Sequence, residues 1–369
     1  MKIAILGTRG IPNNYGGFEQ FAEFLSVLLV DKGHQVTVYN PHFHDYKQEY
    51  YKGVNIRKIY SPEKFIGASA NFIYDYLCLK DALKNDYDVL LECGYHSNAP
   101  SYFLMKGRKH PALITNMDGL EWKRSKWNCF TRWLIKNLEK IAIKRSHSLV
   151  SDNIGIQKYY KDRFGVESSY IAYGATPVVS FDVQYLKSYG LAPETYYMLI
   201  ARLEPENNIE SILDGYLLSG SELPFLVIGN NKTRYGKFLK KRYLNKNIKF
   251  VGGLYNKEML DCLRYYAKAY FHGHSVGGTN PSLLEAMASK ALIVAHDNDF
   301  NKAILKENAL FFSNRKDVAN IINTLNDFEN GQSFKQNNYR MIENEFSWEK
   351  ITNMYECLFE SVLEKVSLR

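Results

Sequence analysis

Short apolar runs alternate with helical periodicity along the whole chain. Residues 2–6 form an apolar run ended by Gly7, and Phe18, Phe21, Ala22, Leu25, Leu28 and Leu29 then keep the i, i+3, i+4, i+7 spacing of an amphipathic helix closed by Gly33. A second run at 35–39 makes the opening unit β-loop-α-β, with GTRGIPNNYGGFE between its first strand and its helix. Further runs at 54–59, 87–91, 112–115 and 148–151 predict strands, and Phe72, Tyr76, Leu79 and Leu83 predict a helix over 71–83. After a polar, irregular stretch at 180–193 a second series begins. Strands are predicted at 196–200, 225–228, 248–251, 269–271, 292–295 and 309–312, with helices at 209–218, at 259–265 and from Ser282. Brief apolar strands separated by helices specify a parallel sheet wound on both faces, here twice over.

In such sheets ligands bind beyond the carboxyl ends of the strands. The residues just past those ends are small and polar: Gly7-Thr8-Arg9, Cys93-Gly94-Tyr95-His96, Asn116-Met117-Asp118-Gly119 and Asp152-Asn153. Neither half carries the G-x-G-x-x-G of a dinucleotide site, so a nicotinamide cofactor is not expected. The long loop with Gly16 and Gly17 reads instead as an opening onto a cleft, and a cleft between the two halves is the natural ligand site. Asp118 directly follows a strand and is either a helix N-cap or a site residue.

The most pointed stretch is FHGHSVGGTNPSLLEAMAS, residues 271–289. An apolar strand passes through Gly277, Gly278, Thr279, Asn280, Pro281 and Ser282 into a helix bearing Glu285. Such a turn gathers unpaired N–H groups and the positive end of a helix dipole, which suits a phosphate. Glu285, one turn in, is either placed to reach a nucleotide's ribose hydroxyls or a solvated residue of an ordinary strand-to-helix turn.

Composition narrows the picture. With 369 residues, 46% hydrophobic and 23% charged, the chain suits two globular domains. A net charge of +8 indicates an anionic partner. The five cysteines are scattered, without C-x-x-C, as expected of reduced thiols. The opening MKIAILGTRGIP reads as a strand and not a signal peptide, and no run of 18 apolar residues occurs, so a cytoplasmic protein is expected. From Trp122 to Arg145 cations alternate with aromatic and aliphatic residues, which suits either contact with an anionic membrane or a solvated basic helix face. No nucleic-acid module accompanies the charge, so nucleic acid is not expected. Of two D-x-D triplets, Asp86-Tyr87-Asp88 lies at the wrong end of its strand and Asp297-Asn298-Asp299 reads as a polar turn, so neither is expected to hold a metal.

ARLEPENN, the Gly229 turn, FVGGL, PSLLEAMAS and the terminal FSWEK together resemble the retaining family-4 glycosyltransferases of GT-B fold, over the whole chain. GTRGIP, YGGFE, MDGLEWKRSKW and SDN resemble the bacterial branch containing rhamnosyltransferases of surface-polysaccharide assembly. The resemblance implies two Rossmann-like domains facing across a cleft. Residues 1–180 would form an acceptor-side domain, joined by a C-terminal helix (347–369) that crosses back to it, and 181–346 a nucleotide-sugar-binding domain. It implies sugar transfer, with rhamnose from dTDP-rhamnose as the expected donor, to a saccharide acceptor linked to a lipid diphosphate. No cofactor and no metal are expected, the leaving diphosphate being stabilised by Arg202, a helix N-terminus and backbone amides.

By the same resemblance Arg202 binds the donor diphosphate, Gly277 to Ser282 shape the donor loop, Glu285 holds the ribose, and Gly16 and Gly17 approach the phosphates or the acceptor. Asp118 takes the place of a histidine at the reaction centre, and Glu121, Trp122, Lys123, Arg124, Lys126 and Trp127 serve the acceptor or the membrane. Two departures stand out. Gly277 occupies the position of the first of two glutamates eight residues apart, and Asn207 that of a phosphate-binding lysine, for which Lys232 or Arg234 is the expected substitute. A donor sugar lacking a hydroxyl fits the first loss. A nucleotide-sugar epimerase or hydrolase, or a catalytically weak sugar-nucleotide-binding protein, is the alternative.

Overall fold

The computed structural model describes residues 1–367 except 15, 125–126 and 245–246. They form two compact units, Met1–Tyr173 with Trp348–Arg369, and Gly174–Ser347.

The first unit holds an eight-stranded sheet of β1 (Lys2–Leu6), β2 (Gln35–Pro41), β3 (Tyr50–Tyr51), β4 (Val54–Ile59), β5 (Val89–Cys93), β6 (Ala112–Asn116), β7 (Ser148–Ser151) and β8 (Ser169–Tyr170), in the order β3-β4-β2-β1-β5-β6-β7-β8. All pairs are parallel except β3 with β4. The second unit holds β9 (Tyr197–Ile200), β10 (Phe225–Ile228), β11 (Ile248–Gly252), β12 (Ala269–His272), β13 (Ile293–His296) and β14 (Leu310–Phe312), all parallel, in the order β11-β10-β9-β12-β13-β14. Helices cover both faces of such sheets, so central strands such as Ile3-Ala4-Ile5-Leu6 and Phe225-Leu226-Val227-Ile228 are buried along their length and read as unbroken apolar runs.

The helix Gly17–Asp31 buries Phe21, Ala22, Leu25 and Leu29. The helix Trp348–Ser367 lies against it: Trp348 stacks on Phe24 at 4.8 Å, Tyr355 meets Phe21 at 5.3 Å, and Glu356 receives Lys32 and His34, each at 2.8 Å. The C-terminal helix thus belongs to the first unit, as the resemblance implied.

Two segments differ from the sequence reading. The division between units falls between Tyr173 and Gly174, ahead of 180–193. Ala175 donates to Phe346 and Val178 to Ala288 within the second unit, and Leu186 is buried. The helix Ala70–Ala82 buries Tyr74, Cys78, Leu79 and Ala82 and turns Phe72 and Tyr76 outward, at 42% and 40% exposure. Both of its faces are apolar, so periodicity alone could not select the inner one.

Candidate active site

In the second unit the chain runs from β9 outward through β10 to β11, then returns to place β12 on the other flank of β9. The order reverses between β9 and β12, and ligands of open parallel sheets bind beyond the strand ends at that reversal. The loops leaving these two strands are built as one piece. Asn208, at φ +50°, donates from Nδ2 to the Gly273 carbonyl at 2.8 Å, and Ser275 donates from N and Oγ to the Glu206 carbonyl at 3.2 and 2.7 Å. A Cβ on Gly273 would lie 2.1 Å from the Asn207 carbonyl oxygen, so glycine alone permits the contact. Gly229 performs the same service after β10, where a Cβ would meet the Ala201 carbonyl at 2.2 Å.

The β9 loop presents the exposed side chain of Arg202. Asn207, at the place of the absent lysine, is buried and donates to the Arg202 carbonyl at 2.7 Å, so it holds the loop and brings no charge. Lys232 and Arg234 are exposed in the turn after β10, where Thr233 caps the helix Arg234–Arg242. The β12 loop enters the helix Pro281–Ala288, whose N-cap Asn280 accepts from the Ser282 amide at 2.9 Å, and Thr279 is buried behind it. Gly277 has φ +131°, a conformation an L-residue adopts only with strain, so the backbone itself favours glycine at this position. Ser282 Oγ meets the Tyr270 hydroxyl at 2.7 Å.

Glu285 retains 22% side-chain exposure, and its Oε2 accepts from Nη2 of Arg264, which is 1% exposed. Nη1 of Arg264 donates to Asp261 at 3.0 Å, and Asp261 also receives Lys257 at 2.5 Å and Ser289 Oγ at 3.1 Å. A buried guanidinium left without its carboxylates would cost about 3–5 kcal/mol, so the chain Lys257-Asp261-Arg264-Glu285 acts as a unit. Sequence reading missed Arg264 and Asp261; the available signal was an acid and a base three apart on a helix whose neighbouring positions are apolar. It also missed His272, buried and stacked on His274 at 4.3 Å, whose basicity is pushed well below the ordinary value by burial and by His274 and His296. The imidazole is therefore neutral at pH 7. Asp297 pairs with Lys302 at 2.6 Å while Asn298 caps the helix Asp299–Leu305, a polar turn.

In the first unit the order reverses between β1 and β5, and the groups there are acids. Glu19 is buried in the first turn of the Gly17–Asp31 helix and accepts the Arg9 amide at 2.7 Å, while the Arg9 guanidinium binds Glu63 at 2.7 Å. Gly16 is the N-cap of that helix, and a Cβ on it would lie 3.2 Å from Glu19 Oε2. A carboxylate thus already faces this helix start. That weighs against a phosphate contact at Gly16 and Gly17. On β5, Glu92 is 1% exposed and accepts from Asn98 Nδ2. Burial and the neighbouring Asp75 push its carboxyl up to about 8, and burial pushes that of Asp75 up to about 7.

Asp118 follows β6 at φ +53°, with its amide donating to Asn116 Oδ1 at 3.0 Å. It caps no helix: the next turn, Glu121–Lys123, has Leu120 as its N-cap. Among the residues expected to serve the acceptor or the membrane, Glu121 is buried, accepts from Trp127 Nε1 at 3.1 Å and pairs with Arg124 at 2.5 Å. These three fasten the turn to itself and do not offer Glu121 to a surface. Lys136 covers the Trp122 ring at 4.2 Å, Lys123 is exposed, and Lys126 lies outside the described residues. The helix Cys129–Arg145 turns Phe130 and Trp133 outward, at 70% and 61% exposure.

Residues 186–348 match the family described as Glycosyl transferases group 1, and residues 1–176 match a domain of unknown function, DUF1972. Among curated proteins no match is found. Solved structures similar over almost the whole chain include sucrose-phosphate synthase from Thermosynechococcus elongatus (14% identity, TM-score 0.80, 99% of each chain). HepE of Anabaena in complex with UDP and glucose is another (16%, 0.74, 98% of this chain and 100% of that one). A third is a glycosyltransferase from Rickettsia africae (12%, 0.67, 98% of each). The chain therefore has the GT-B fold, with two Rossmann-like sheets as the resemblance implied.

Proposed function

We propose that this chain transfers a sugar from a nucleotide-diphosphate donor, bound by the second unit, to a saccharide acceptor handled by the first. The observation that carries the reading is the fused pair of loops at the β9/β12 reversal of the group 1 domain. The segments that follow these two strands carry an exposed arginine, a helix N-terminus and a partly exposed carboxylate. That set suits a nucleoside diphosphate: Arg202 for phosphate charge that builds on the leaving group, the loop from Gly277 to Ser282 for donor contact, and Glu285 for the nucleotide's sugar. HepE, with the same fold, is solved with UDP and glucose.

The finer reading is rhamnose from dTDP-rhamnose, transferred with retention and without a metal, to a lipid-diphosphate-linked saccharide in surface-polysaccharide assembly. Gly277 in place of a sugar-gripping glutamate favours a deoxy sugar. Lys232 is the cation offered nearest in sequence to replace the one absent at Asn207. Asp118, held in an unusual backbone conformation at a strand end, is the group proposed to orient or deprotonate the acceptor hydroxyl. Incubation with dTDP-rhamnose and lipid-linked GlcNAc should yield a rhamnosylated lipid; hydrolysis of the donor at the same rate without acceptor would favour the epimerase or hydrolase reading.

Among the described residues no helix is long and apolar enough to cross a membrane. Contact with an anionic bilayer is proposed through the helix Cys129–Arg145 and the adjoining turn Ala99–Met105. Phe130, Trp133 and Phe103 are exposed among Lys106, Arg108, Lys140 and Lys144, with Arg145 over the Phe103 ring at 5.1 Å. Replacing Lys140 and Lys144 with Glu should lower flotation with phosphatidylglycerol vesicles; unchanged flotation would remove this part of the reading.

A further inference from the structure

Between β4 and β5 the first unit leaves a run of apolar side chains in water. Phe65 and Ile66, in the turn Glu63–Ile66, are 82% and 48% exposed, and Gly67, Ala68 and Ser69 after them are exposed as well. The helix Ala70–Ala82 packs against this turn and adds Phe72, Ile73 and Tyr76 on its outer face. A cluster of large apolar side chains on a domain surface marks contact with a protein partner or with lipid. The tip is mounted on a fixed base: Glu63 binds the Arg9 guanidinium at 2.7 Å, and the Ser61 amide donates to His42 Nδ1 at 3.1 Å. Arg9 and His42 follow the carboxyl ends of β1 and β2, so the exposed run stands at the end of the sheet where ligands of this fold bind.

The charges choose between the two partners. Within residues 64–80 the exposed charges are Lys64 and Lys80, and the single acid, Asp75, is buried. Lys80 Nζ lies over the Tyr76 ring at 5.8 Å, which keeps a cation beside the apolar face. Aromatic and aliphatic side chains flanked by lysines, with no exposed carboxylate among them, match the boundary between anionic headgroups and acyl chains. We propose that residues 64–76 enter the headgroup layer of an anionic bilayer, with Phe65 and Ile66 deepest, so that the acceptor-handling end of the first unit faces the lipid. The helix Cys129–Arg145 attracts that surface through charge, whereas this segment inserts. The proposal rests on the reading that the first unit takes a lipid-linked acceptor at a bilayer.

The test floats the full chain with phosphatidylglycerol vesicles at low salt and at about 0.5 M salt, where contacts between surface charges are screened. Wild type should stay partly bound at the higher salt. Phe65→Ser/Ile66→Ser should lower binding by roughly tenfold or more at both salts, while keeping the wild-type Tm because both side chains are exposed. Lys140→Glu/Lys144→Glu should lower it at low salt alone. Flotation equal to wild type in the serine variant, while the glutamate variant loses it, would overturn the inference. A wild-type dimer that the serine substitutions turn into a monomer, with vesicle binding kept, would overturn it too and give the patch to a second copy. Failure of wild type to float at low salt would instead overturn the bilayer reading on which the proposal rests.

Discussion

The two units reverse their strand order at equivalent places, yet the groups gathered there are of opposite kinds. At β9 and β12 they are an exposed arginine, backbone loops fused through Gly273, and a histidine kept neutral. At β1 and β5 they are buried acids, Glu19, Glu92 and Asp75, and the guanidinium of Arg9 there is bound to Glu63. The first set suits a polyanion. The second repels one when ionised. The fold supplies two similar sheet ends, and the side chains set which end suits a phosphate.

The comparison breaks most visibly at Arg202. Arg202→Ala should lower kcat/KM for the donor by about a hundredfold or more, as removing one stabiliser of developing charge does, and abolish stabilisation by nucleoside diphosphate. A loss below tenfold would place the diphosphate elsewhere. Asp118→Asn should reduce transfer by roughly tenfold to a hundredfold while leaving nucleotide binding unchanged, as titration of each substrate in turn would reveal. Weakened nucleotide binding in that variant would contradict the division of labour between units.

The smallest effects are in stability against pH, and the two units should respond in opposite senses. The carboxyls of Asp75 and Glu92 are raised in the folded state, to about 7 and about 8, so their contribution is full at acid pH and is lost as pH rises through those values. His272 is lowered, so its contribution is full above the ordinary imidazole range and is lost as pH falls below it. Glu92→Gln should flatten the fall in Tm between about pH 6 and 9, and His272→Leu should flatten the fall below about pH 6, as calorimetric scans would record. A common response in both variants would mean that the two sites do not titrate independently.

Much of the fold is legible along the chain because its strands are buried on both faces. Runs such as those at β1 and β10 need no partner to be recognised. The donor loop is legible for a related reason, since glycine, an asparagine cap and a proline mark a helix start locally. The rest depends on tertiary pairing. Glu92 sits in a strand like any other residue until the sheet buries it, and Glu121 reads as a surface charge until Trp127 and Arg124 close over it. Arg264 meets Glu285 only because two helices pack, which no spacing along the chain announces. The helix Ala70–Ala82 misleads because its outer face is as apolar as its inner one.

The most direct measurement of the central claim is thermal stabilisation of the full chain by dTDP-, UDP-, GDP- and ADP-linked sugars, with Arg202→Ala and Glu285→Ala alongside. A rise in Tm for one nucleotide, with dTDP expected, lost in both variants, is the predicted result. Stabilisation by none of the four, or stabilisation that survives both substitutions, would contradict a donor site at the β9/β12 reversal.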